Sequence, residues 1–242
     1  MPPTTRTLLM QNPSEIDLRF KDQKGRVYND VLHLEARDIE NPSPNDPTMV
    51  NIMDTALRLS PTFACLGEVR TNAEFAQALK IMEAGHPMNT TYHAESDEGA
   101  ISRFLTAYLA TSVGEPASLA LRTLTSLLNV IIVQKILRDG SRRIIQISEV
   151  IGVDPDDENK PLLNELYRYD ITGDPEYDAQ GNVKKIHGVH KRVGKISDKA
   201  IHKLQIEGVA ASRYDFLRRE VDESEVETYT GDNIEHYGMK LG

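Results

Sequence analysis

Two short stretches carry titratable side chains to the places where strands end. In TFACLGEVRTN, residues 62–72, an apolar run stops at Gly67 and is followed by Glu68 and Arg70. A carboxylate there can hold a metal-bound water or polarise an attacking water, and a guanidinium two residues on can neutralise phosphate charge. In GHPMNTTYHAES, residues 85–96, an extended run delivers Thr90, Thr91 and His93 to the end of a second strand, beside the first if the strands are neighbours. The same residues also fit a reading without chemistry, a Glu–Arg pair at a sheet edge and a lone histidine. His86, His93 and Glu95 suggest a metal site, but their i, i+7, i+9 spacing fits none of the helical zinc signatures.

The elements that must position these residues follow from periodicity. Residues 5–34 alternate short apolar runs with turn signals and read as strands and hairpins. ENPSPNDP, residues 40–47, is a loop, because its three prolines cannot sit in a helix or central strand. Met49, Ile52, Met53, Ala56 and Leu57 recur at helical spacing, which predicts a helix from Thr48 to about Leu59, followed by a strand over Thr62 to Leu66. Phe75, Ala78, Leu79 and Met82 mark a second helix ended by Gly85. After an extended run over 87–92, Ser96 or Asp97 can cap a third helix carrying Ala100, Ile101, Phe104, Leu105 and Tyr108. Helix, strand, helix, strand, helix is the rhythm of a parallel α/β sheet, whose strand ends form the ligand crevice.

Beyond Gly114 the pattern changes. A helix from about Glu115 leads into two β-rich runs joined at Asp139 and Gly140, a hairpin signal. Residues 161–171 and 183–190 add strands around TGDPEYDAQGN, and a helix near Ser197 to Glu207 carries Ile201 and Leu204. The expected organisation is therefore residues 1–112, residues 113–221 with the β-hairpin in a mixed α/β region, and an acidic, flexible tail over 222–242.

Composition narrows the function classes. A net charge of −9 argues against nucleic acid as the direct ligand. The cluster KKIHGVHKRVGK, residues 184–195, is a local basic exception that reads as a solvated hairpin or as a contact surface for an anion. No apolar segment approaches the ~20 residues of a membrane span, and the N-terminal residues lack the shape of a signal peptide, so a cytoplasmic protein is expected. The single cysteine, Cys65, cannot form an intrachain disulfide and reads as a small core residue in a reducing compartment.

Taken together, residues 56–104, ALRLSPTFACLGEVRTNAEFAQALKIMEAGHPMNTTYHAESDEGAISRF, resemble the core of the type II/type IV secretion ATPases, closest to the branch serving tight-adherence pili and conjugative transfer. LRDGSRRIIQISEVIGV, residues 137–153, also resembles that branch, so the similarity runs over roughly residues 5–205. The resemblance implies a partial RecA-like P-loop NTPase domain that uses ATP and Mg2+. It makes Glu68 the Walker B glutamate supporting magnesium through water, Arg70 its phosphate-side neighbour, and His93 the histidine-box residue that senses the nucleotide. Arg58 and His86 fall on further motif positions of the nucleotide site; a helix-end salt bridge and a hydrogen-bonded imidazole are their alternative readings. The implied partners are other copies of the chain in a ring, expected to be a hexamer, and an inner-membrane platform, with the protein peripheral at the inner face of the membrane.

Two departures stand beside these agreements. Where the family's aspartate box has an acidic pair, this chain has Gln11 and Asn12; an amide cannot act as a general base, so Gln11 is expected to orient a water and Glu15 or Glu68 to compensate. The Walker A pattern G-x-x-x-x-G-K-[ST] does not occur; its nearest imitation, GVHKRVGKI, has the wrong glycine spacing and ends in Ile. The resemblance therefore implies the C-terminal part of such an ATPase. Each missing charge-assisted phosphate contact is worth about 1.5–3 kcal/mol, so tight ATP binding by this chain alone is not expected. The competing expectation is a noncatalytic ring or interaction subunit of the same machinery, and a third is a zinc hydrolase using His86 and His93.

Overall fold

The computed structural model describes residues 5–112 and 114–221, which fall into two compact units. The acidic tail expected over 222–242 lies outside the described residues.

The first unit holds the described residues up to Ala94 together with Gly99–Leu127. Its sheet is built from β1 (Thr7–Gln11), β2 (Val31–Glu35), β3 (Phe63–Leu66) and β4 (Met88–Asn89) in the order β2-β1-β3-β4. Every pairing is parallel, so all four strands end on the same edge. β1 is central and buried along its whole length, which is why its middle, Leu8 to Met10, is an unbroken apolar run rather than an alternating one. β1 and β2 are thus not the two arms of a hairpin, as the turn-rich segment between them suggests. That segment makes only a small antiparallel bridge of its own, Lys21 with Val27, before the chain returns as a parallel neighbour.

Helices of this unit begin where their caps predict. Thr48 accepts from the Asn51 N–H and starts α1 (Met49–Ala56), whose buried Met49, Met53 and Ala56 form one stripe. Thr71 and Glu74 form a reciprocal capping box at the start of α2 (Asn72–Glu83), which buries Phe75, Ala78, Leu79 and Ile81. Ile81 takes the core position expected for Met82, which is only half-buried. α3 (Asp97–Leu109) and α4 (Ala117–Leu127) follow. Phe75, Tyr92 and Phe104 meet edge to face, with centroids 5.1 Å apart for Phe75 and Tyr92 and 5.0 Å apart for Phe75 and Phe104. α4 packs on α2, so the first unit runs to Leu127 rather than closing at residue 112.

The second unit holds Glu95–Glu98 and the described residues from Leu128. β5 (Val130–Ile136) and β6 (Arg142–Val153) form the hairpin that Asp139 and Gly140 predict, with Gly140 at φ +78° and its N–H donating to Leu137 C=O. β7 (Pro161–Ile171) extends this sheet. A small ladder of β8 (Glu176–Tyr177) with β9 (Val183–Lys185) closes the polar loop, and β10 (Gly188–Arg192) completes the order β10-β7-β6-β5. α5 (Asp198–Ile206) is capped by Ser197, whose backbone N–H and hydroxyl both donate to the buried Glu149 carboxylate. Leu166, Ile196 and Tyr214, with Tyr167, Ile201 and Leu204 against them, form this unit's own core. Among the described residues no helix is long and apolar enough to cross a membrane.

Candidate functional site

The common edge where the parallel strands end gathers the expected acid, guanidinium and imidazole. Glu68 stands two residues beyond β3 with its side chain 24% exposed. Its Oε2 accepts from Arg70 Nε at 2.6 Å, and its Oε1 lies 3.1 Å from His93 Nε2. The Arg70 side chain is half-exposed, 52%, and that of His93 almost fully exposed, 93%, so both face solvent while their common partner is partly sheltered.

Backbone and hydroxyl bonds hold the two loops in this arrangement. Val69 N–H donates to Thr91 C=O at 2.9 Å, and Thr91 Oγ1 donates to Gly67 C=O at 2.6 Å. The Tyr92 ring, between Thr91 and His93, is anchored in the aromatic cluster, and its hydroxyl donates to Ala100 C=O at 3.2 Å. On the other side, Arg70 N–H donates to Glu74 Oε2 at 2.6 Å, which ties the site loop to the capping box of α2. Gly67 packs closely on the end of β1: a Cβ there would lie 3.2 Å from Gln11 Cγ, a tight contact that the Gln11 side chain would have to relieve.

Electrostatics concentrate on Arg70. The Glu68 carboxylate, by hydrogen bond and by charge, raises its guanidinium further above an already high pKa, with smaller contributions from Asp38 and Glu74. Asp38 Oδ1 accepts from Asn12 Nδ2 at 2.7 Å, linking the segments that follow β1 and β2. Nothing in the sequence marks Asp38, because it follows β2 in an irregular segment. The signal that could have found Glu74 is the Thr71-x-x-Glu74 capping pattern.

The remaining expected residues take other positions. Gln11, 1% exposed, has its amide oxygen accepting from the N–H groups of Glu15 and Ile16, while its amide nitrogen donates to Ile16 C=O and sits 3.0 Å from His33 Nε2. Both lone pairs and both N–H groups are engaged, so Gln11 shapes the turn after β1 and has no free atom with which to orient a water. Glu15 projects from that turn into solvent. Arg58, before β3, and His86, before β4, lie at the opposite edge of the sheet from Glu68, because they precede strands whose far ends carry the cluster. His86 Nδ1 is 2.9 Å from Pro61 C=O, the hydrogen-bonded imidazole of the alternative reading. The strand direction thus separates Arg58 and His86, expected at motif positions of the nucleotide site, from Glu68 within this chain. His86 and His93 being at opposite edges also removes their pairing as zinc ligands, and among the described residues no three His, Cys, Asp or Glu side chains converge in a metal-holding group.

Comparison with known proteins adds the family. The profile of the family described as type II/IV secretion system protein matches residues 31–215. An uncharacterized protein of Methanocaldococcus jannaschii is 31% identical over 114 residues, 46% of this chain and 19% of its own length. Among solved structures, the VirB11 ATPase from the Brucella suis type IV secretion system, in complex with sulphate, aligns with TM-score 0.50 at 21% identity over 62% of this chain and 41% of that one. The Legionella pneumophila ATPase DotB aligns with TM-score 0.46 at 20% identity over 64% and 39%. The likeness to VirB11 is one of fold, the α/β architecture with a parallel sheet. The chain spans about a fifth of the length of the curated relative and less than half of these two structures.

Proposed function

Because this chain belongs to the type II/IV secretion system protein family, we propose that it carries the Walker B and histidine-box wall of the nucleotide site in a secretion, pilus-assembly or conjugative-transfer ATPase. The observation that carries this reading is the meeting of Glu68, Arg70 and His93 at the ends of adjacent parallel strands, within 3.1 Å of one another through Glu68.

The residues present fit one side of an ATP and magnesium site. A partly sheltered carboxylate suits a hydrated divalent cation, and a half-exposed guanidinium suits phosphate oxygens. The Walker A pattern G-x-x-x-x-G-K-[ST] does not occur in the 242-residue sequence. Magnesium, when bound, neutralises phosphate charge. Glu68 would hold the hydrated cation or orient an attacking water, Arg70 would stabilise negative charge on the phosphates, and His93 would couple the state of the site to Glu68 through their shared contact. Hydrolysis in an assembled ring of copies, a hexamer in this reading, then drives transport or assembly at an inner-membrane platform, with the chain peripheral to the membrane on its cytoplasmic side.

A second reading, a noncatalytic ring or interaction subunit, draws on one observation, the complete internal engagement of the Gln11 amide where the resemblance calls for an acid. ATP binding and phosphate release, measured on this chain with and without a Walker A segment supplied at its N-terminus, separate the two. Turnover only with the segment, abolished by Glu68→Gln, is the expected result. Turnover that survives Glu68→Gln refutes the assigned role of Glu68, and a supplied form that binds ATP without turnover favours the second reading.

A further inference from the structure

Arg70 is committed before any anion arrives. Its Nε, the donor that with a neighbouring terminal nitrogen forms the side-on fork for a phosphate, is already given to Glu68 Oε2 at 2.6 Å. Glu68 is engaged at both oxygens: Oε2 accepts from Arg70, and Oε1 faces His93 Nε2 at 3.1 Å. Asp38 and Glu74 add negative charge around the same guanidinium. The pair sits in loops beyond the strand ends, with Arg70 half-exposed and able to turn toward solvent.

We infer that Arg70 and Glu68 form an anion-operated latch, in which a polyphosphate engaging the Arg70 guanidinium withdraws it from Glu68 and so frees the carboxylate oxygen for water or a hydrated cation. The latch deepens the nucleotide-site reading and rests on it. Its logic is competition for the Nε edge: that edge serves either the carboxylate or the phosphate, whereas an anion held by the two terminal nitrogens alone would leave the pair closed and Glu68 unmoved. The backbone bonds Val69 to Thr91 and Arg70 N–H to Glu74 hold the loops in place, so the change is confined to side chains. Asp38, tied to Asn12 at 2.7 Å, keeps a second negative charge beside Arg70 and sets how readily it leaves.

The test uses the full 242-residue chain, 15N-labelled at arginine and 13C-labelled at glutamate, titrated with inorganic tripolyphosphate. The expected result is that the Arg70 Nε–H and Glu68 carboxyl resonances, assigned through Arg70→Lys and Glu68→Gln, move together with one Kd. An exposed ion pair is a weak competitor, so Glu68→Gln should tighten tripolyphosphate binding by about two- to five-fold, and Asp38→Asn by less. Arg70→Lys, which keeps the charge and loses the fork, should weaken binding and leave the Glu68 signal unresponsive. The latch is overturned if Glu68→Gln leaves the affinity unchanged or lowers it, if Arg70 shifts while Glu68 does not, or if neither resonance responds. This readout needs no ATP turnover. A latch that fails while Glu68→Gln still abolishes turnover in the Walker A-supplied form leaves the proposed function standing, whereas failure of both removes it.

Discussion

Phe75 decides whether the His93 segment has a fixed position, and Phe75→Ala tests that directly. The ring is 1% exposed and stands edge-on to both Tyr92 and Phe104. Truncating a buried phenylalanine costs about 3–5 kcal/mol from lost burial and the cavity left behind. Two edge-to-face pairs, each worth about 0.5–1.5 kcal/mol beyond area, place the cost in the upper part of that range. Tyr92 supplies an internal reporter, because burial pushes its phenol up to about 12, against the smaller opposing pull of Arg103. The folded chain therefore retains a proton that the unfolded chain gives up between pH 10 and 12. This contribution is fully present below about pH 10 and is lost as pH rises toward 12, on the order of 2 kcal/mol. Urea denaturation at pH 7.5 and pH 11, with absorbance at 295 nm and Tyr92→Phe as the subtraction control, measures both quantities. Wild type should show a late tyrosine that Tyr92→Phe lacks; Phe75→Leu, milder than Phe75→Ala, should bring that titration down toward 10. A Phe75→Ala cost under about 1 kcal/mol, or a Tyr92 that titrates at 10 in the wild type, refutes the claim that this cluster anchors the site.

Three further outcomes concern the second unit. Glu149→Ala leaves the Ser197 N–H, the Ser197 hydroxyl and Asn164 Nδ2 without their buried acceptor and should cost about 2–3 kcal/mol in guanidinium denaturation, Glu149→Gln less. Gly194→Ala would drive a Cβ into the Glu165 carbonyl oxygen and should lower the thermal midpoint by an amount equivalent to about 1–3 kcal/mol, whereas Gly181→Ala, with open space around it, should show only backbone strain. Asp139 is held down to about 2, first by the Ser141 hydroxyl and then by the Ile186 and Ser141 N–H groups. Its stabilisation is present above about pH 4 and lost as pH falls toward 2, so thermal melts at pH 5 and pH 2.5 should differ less in Asp139→Asn than in the wild type.

Local signals carried much of the architecture. Thr48 announced a helix start, Asp139–Gly140 announced the hairpin, and the apolar periods of α1, α2 and α3 announced which faces turn inward, because caps, turns and amphipathic stripes are properties of neighbouring residues. The parallel relation of β1 and β2 was not legible: the residues between them contain ordinary turn chemistry, and strand direction follows from packing between distant segments. The extent of the first unit was missed for a similar reason, since α4 belongs to it through contact with α2 rather than through any change in composition.

The site divides along the same line. Residue types and order alone determined that a glutamate, an arginine and a histidine follow two strands, since the chemistry resides in the side chains and the strand ends are written in apolar runs. Only the tertiary structure decided that Glu68, Arg70 and His93 share one edge while Arg58 and His86 occupy the other, that the Gln11 amide is consumed by its own turn, and that Asp38 joins the field around Arg70. Spacing along a chain limits which groups can meet, but strand order and direction, set by burial on both faces of the sheet, choose among them.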